Sequence, residues 1–110
     1  LAALAADAAD ATRARRARGR RWLVRVETGS GLSRVRLKRL SRGTRREVLR
    51  QWLRRQIGQE PSDDRLFAVD HLVCTGLGEV RTSDSAAVCL VDGRVCVQPV
   101  GPPKPRSTPV

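Results

Sequence analysis

The residues in this sequence best suited to chemistry are its arginines, and the chemistry they suit is phosphate binding. An arginine side chain offers five N–H donors in a planar fork that matches phosphate oxygens, and it stays charged at any physiological pH. The 110-residue chain has 22 cationic side chains, all of them arginine except Lys38 and Lys104. They are clustered: residues 13–55 hold 17 of them against Glu27 and Glu47, a net of +15, whereas residues 56–100 have a net of −4. A general preference for arginine codons would explain the type of cation but not its clustering. A block of that charge repels itself unless an anionic partner neutralises it, which points to nucleic acid.

The candidate RNA contacts fall into three groups. Arg13, Arg15, Arg16, Arg18, Arg20 and Arg21 lie on an N-terminal arm, Arg34, Arg36 and Lys38 on one face of an expected hairpin, and Arg46, Arg50, Arg54 and Arg55 on the outer arc of an expected helix. Contacts of this kind position a protein on the phosphate backbone without reading sequence. Trp22 and Trp52 are assigned to the core, which leaves no aromatic platform for stacking bases.

Other chemistries have little material. His71 is the single imidazole, three residues from Cys74 and with no triad partner in sequence. "GSG" and "GLG" lack the lysine of a phosphate-binding loop and the continuation of a dinucleotide fingerprint. Cys74, Cys89 and Cys96 form no C-x-x-C pair, so neither a zinc site nor a disulfide framework is expected, and a reducing compartment is. No apolar run approaches the ~20 residues of a membrane span. The expectation is a non-catalytic protein with no cofactor, no metal, no small-molecule substrate and no membrane insertion. Anionic lipid as the partner is disfavoured because Arg13 to Arg21 are scattered, not amphipathic.

These cations must be positioned by local structure. Val48, Leu49, Trp52, Leu53 and Ile57 recur at helical spacing, which predicts a helix over 44–57 opened by a Thr44–Glu47 capping box and closed by Gly58. Before it, Trp22, Val24 and Val26, then Val35 and Leu37, alternate around Gly29-Ser30-Gly31 and predict a β-hairpin. Pro61 marks a break, with Asp63 and Asp64 as turn formers or a cap. "RLFAV" reads as a strand, "HLVCTG" as a possible second and "GRVCVQPV" as a closing strand, while "SDSAAVCLV" fits either a helical turn or extended chain. The fold class is α+β. Three segments follow: a basic Ala/Arg-rich extension, helical or extended, over 1–21; a folded domain over 22–100; and an extended proline-rich tail over 101–110. The expected core is Val24, Val26, Val35, Leu37, Leu49, Trp52, Leu53, Ile57, Leu66, Val95 and Val97.

The series "LVRVETGSG", "PSDDRLFAV", "RTSD" and "RVCVQPV" resembles the ubiquitin-like β-grasp domain over about residues 22–100. The resemblance implies a hairpin, a helix across the sheet, and two to three further strands. It does not imply conjugation, because "VQPVGPPKPRSTPV" replaces the terminal Gly-Gly. Nor does it imply the apolar receptor patch, because Gln98 sits where an aliphatic residue belongs. The second half, "DRLFAVDHLVCTGLGEVRTSDSAAVCLVDGRVCVQP", also resembles, more weakly, the alpha-L RNA-binding motif, with Gly93, Val95 and Val97 on its hairpin. "LAALAADAADATRARRARGRR" resembles in part the remains of a transit peptide, from which Asp7 and Asp10 depart. Together these readings lead to the expectation of a structural subunit of a mitochondrial ribosome in the matrix, touching rRNA and neighbouring proteins. The alternative is a ubiquitin-like protein–protein interaction module without RNA.

Overall fold

Alanine and arginine both favour the helix, so the N-terminal residues propagate one long helix once it is nucleated. In the computed structural model, which describes residues 2–29, 31–83 and 86–99, helix α1 spans Ala2–Val26 and runs without a break through the residues expected to form the first strand. Period two would place Trp22, Val24 and Val26 on one face. The helical period instead aligns Gly19, Leu23 and Val26, which are buried, and leaves Val24 72% exposed. Helical continuation wins because that stripe packs on a neighbouring helix.

The Gly29–Gly31 turn does join two antiparallel strands, but they are short: β1, Glu27–Thr28, and β2, Gly31–Ser33. Ser30 at its centre lies outside the described residues. The expected second strand of this hairpin is a short helix, α2, Arg34–Lys38, whose N-cap Ser33 accepts from the Arg36 backbone N–H. Leu37 is buried as expected, while Val35 is 60% exposed.

Helix α3, Arg42–Ile57, is the one expected, with its cap three residues upstream: the Ser41 side chain accepts from the Thr44 N–H, and Gly58 closes the helix in the left-handed conformation. The T-x-x-E capping box does not form, because Glu47 turns inward to Arg50. The two strands expected at "RLFAV" and "HLVCTG" are a single helix, α4, Asp63–Thr75, capped by Ser62 with Asp63 and Asp64 in its first turn, where carboxylates suit the helix dipole. Val69, Leu72 and Val73 form its buried stripe.

Strands β3, Glu79–Ser83, β4, Ala86–Val91, and β5, Arg94–Pro99, complete a five-stranded antiparallel sheet ordered β1-β2-β5-β4-β3. The ambiguous "SDSAAVCLV" is thus extended over its described part, Asp84 and Ser85 lying outside the described residues. Asp92 and Gly93, both at positive φ, form the two-residue turn that suits the twist of β4 and β5. The expected closing strand and the Gly93–Val95–Val97 hairpin both form. Cys89 and Cys96 stand directly opposite each other on this ladder.

The α+β class holds. The particular elements of a β-grasp do not: its expected first and third strands are helices. The alpha-L reading fares no better, since residues 65–90 hold one helix followed by strands. The expected tail over 101–110 lies outside the described residues. Of the expected core, Val26, Leu37, Leu49, Trp52, Leu53 and Val95 are buried, and Ile57, Leu66 and Val97 pack partly against them. Trp22, expected inside, is only partly buried.

The α1–α3 contact depends on Gly19, where a Cβ would lie 2.6 Å from Glu47 Cγ and 2.7 Å from Gln51 Nε2. Both neighbours are held, Glu47 by Arg50 and Gln51 by the Arg16 carbonyl at 2.9 Å. Gly19→Ala gains up to about 1 kcal/mol of helix propensity and loses about 1–3 kcal/mol to overpacking. We predict a net loss of roughly 1–2 kcal/mol in urea unfolding; a more stable variant would mean that α1 does not sit on α3.

Candidate nucleic-acid interface

Helices α1 and α3 carry most of the expected contacts, and packing divides those residues by what each already touches. On α3, the Arg50 guanidinium grips Glu47 through two hydrogen bonds of 2.7 and 2.8 Å and reaches Glu60 at 2.6 Å. Burial pushes the Glu47 carboxyl up, but the Arg50 hydrogen bonds and charge outweigh it and hold that carboxyl below its ordinary range. Arg54 also lies 3.6 Å from Glu60, and Arg55 pairs with Glu27 at 2.7 Å. Arg46 donates to Asp70 at 3.2 Å and stacks over Phe67. Glu27 and Glu47 of the basic block, together with Glu60 and Asp70 of the second half, thus neutralise much of the basic arc that the sequence assigned to RNA.

The hairpin group also has inward work. Arg34 donates from Nε to the Val73 carbonyl at 2.7 Å and from Nη2 to the Cys74 carbonyl at 3.3 Å, filling the open acceptors at the end of α4. Arg36 does the same for α1 through the Arg25 carbonyl at 2.7 Å. Lys38 is exposed.

On α1, Arg13 pairs with Asp10, both exposed. Arg15, Arg18, Arg20 and Arg21 are exposed and make no ion pair among the described residues. Arg16 and Arg20 face Arg50, Gln51, Arg54 and Arg55 across a hollow of about 480 Å³ between the two helices. Arg18 and Arg21 continue the positive surface along α1 to Arg25, whose guanidinium lies 5.1 Å over the Trp22 ring. Arg25, Arg39 and Arg42 are exposed cations that the candidate set omitted. Arg25 would have been found by reading residues 22–26 as helix, because it then follows Arg18 and Arg21 at helical spacing.

An anion meeting this surface would find unpaired guanidiniums on α1 and a rim of shared ones on α3. Among the described residues no three or more His, Cys, Asp or Glu side chains gather where they could hold a metal ion, and no helix is long and apolar enough to cross a membrane.

Neither a curated protein nor a solved structure matches the chain. The expectation of a ribosomal structural subunit is overturned, and the RNA-free ubiquitin-like module gains no support, on one finding: residues 32–84, from β2 through α2, α3 and α4 to β3, are similar to the TilS substrate binding domain, part of a family of tRNA-modifying enzymes.

Proposed function

We propose that this chain binds tRNA and serves as a substrate-holding part of tRNA-modifying machinery. The observation that carries this reading is the similarity of residues 32–84 to the TilS substrate binding domain. The surface supports it independently, because α1 lies outside the matched stretch and yet adds unpaired arginines beside α3. Its role is positional: guanidiniums hold phosphates of a structured RNA, and neither the arm nor the hollow contributes a reacting group. Cations in such an arrangement raise affinity and association rate without selecting bases.

Fluorescence anisotropy with labelled tRNA tests the reading. Saturable binding should occur at low ionic strength and weaken linearly as log affinity against log salt. A chain that fails to bind tRNA at 50 mM salt would sink it.

A further inference from the structure

The interface described so far gives no means of telling one base from none. A separate hollow at the C-terminal end of α1 supplies one. It encloses about 420 Å³ between the end of α1, α2 and the start of α3, a volume within the usual range for small-molecule sites. Trp22, Val26 and Leu40 give it apolar walls, while Arg25, Arg36 and Arg39 supply guanidiniums; among the described residues no carboxylate lines it. Trp22 is only partly buried, and Arg25 lies over one face of its ring, so an indole and a planar cation border the hollow together. The hydroxyls of Ser41 and Thr44, which also line it, are already bonded to each other at 3.1 Å. In that bond Ser41 donates, and Arg36 already gives one N–H to the Arg25 carbonyl, which leaves the Thr44 hydroxyl and the remaining guanidinium N–H groups of Arg25, Arg36 and Arg39 as donors.

We propose that this hollow takes one unpaired nucleobase of the bound RNA, stacked on the Trp22–Arg25 pair, with its flanking phosphate on Arg36 and Arg39; this rests on the RNA-binding reading above. Stacking on an aromatic side chain tolerates any base, since every base has a π-face, and guanidinium planes stack on bases as well. Charge complementarity favours a nucleotide over an apolar peptide, because three cations and, among the described residues, no anion surround an apolar floor. The site is continuous with the arm, for Trp22 and Arg25 also border the small hollow formed with Arg18 and Arg21.

The test uses a short single-stranded oligoribonucleotide with 2-aminopurine at one position, and the same strand abasic at that position. The base-containing strand should bind about tenfold more tightly, in line with aromatic–base stacking, and its 2-aminopurine fluorescence should be quenched on binding. Trp22→Leu should abolish both the tenfold difference and the quenching while leaving the salt dependence unchanged. Because Trp22 touches the core, Arg39→Gln is the second variant: Arg39 is exposed and makes no side-chain hydrogen bond among the described residues. It should lower affinity for both strands severalfold at unchanged melting temperature and preserve the difference between them, because both keep the flanking phosphate; unchanged affinity for both would take the phosphate off Arg39. Equal affinity for the two strands by a protein that still binds tRNA would overturn the pocket alone. Failure to bind tRNA would overturn the RNA reading beneath it.

Discussion

Asp70→Asn should lower the stability of the folded chain by about 3–5 kcal/mol at neutral pH. Asp70 on α4 is 5% exposed and receives both Arg45 and Arg46 from α3. Arg45 is itself largely buried, its side chain 12% exposed, so removing the carboxylate leaves a guanidinium with little access to water and without its charge partner. Burial pushes the Asp70 carboxyl up, but hydrogen bonds and charge from Arg45, then Arg46, outweigh it and hold the group below its ordinary range. A depressed folded value means the carboxylate stabilises the fold above the ordinary aspartate range, and that this is lost as pH falls through that range toward the folded value. The gap between wild type and variant should therefore be widest at neutral pH and should close below about pH 4. Asp10→Asn is the contrast: the Asp10–Arg13 pair is 67% and 74% exposed, and such surface pairs are worth about 0–1 kcal/mol. Denaturant titrations at several pH values decide the matter, and equal, small effects of the two substitutions would deny the α3–α4 ion cluster any structural role.

Helix α3 was legible because its apolar residues keep one period for its whole length and Gly58 ends it. Strand β5 was legible because Val95 and Val97 alternate, whereas its partner β4 stayed open between a helical turn and extended chain, because a short apolar run does not decide its own period. Helix α4 was misread although Ser62, Asp63 and Asp64 are good opening residues: its apolar stretch is short and includes Val69 and Val73, so the strand reading competed. The same ambiguity hid the end of α1, where Trp22, Val24 and Val26 alternate as in a strand, although the stripe that is buried, Gly19, Leu23 and Val26, has helical spacing.

The site was legible in its charge and not in its allocation. Which arginines are committed depends on partners far along the chain. Arg46 meets Asp70 24 residues later, Arg55 meets Glu27 28 residues earlier, and Arg34 caps carbonyls at the end of α4. None of these pairings leaves a local signature. The +15 block is therefore part internal scaffold and part free surface, and only packing separates the two.

That separation sets the largest expected effect on binding. Arg15, Arg18, Arg20 and Arg21 have no carboxylate partner among the described residues, so a bound phosphate gains their whole charge. If about six arginines neutralise phosphates, log affinity for tRNA should fall against log salt with a slope of roughly −4 to −5, taking about 0.7 per phosphate for single strands and more for duplex. Changing all four to glutamine should flatten the slope by about 3. Between 50 and 200 mM salt, the ratio of wild-type to variant affinity should then shrink by roughly fiftyfold, a difference well outside titration error. Folding should be untouched, because these side chains hold nothing in place, and unchanged circular dichroism would check that. Arg54→Gln with Arg55→Gln should flatten the slope by less than two such contacts, since Glu60 and Glu27 already neutralise those charges. Arg65 and Arg81, in the acidic half, should matter little. An unaltered slope in the fourfold variant would place the RNA elsewhere on the molecule.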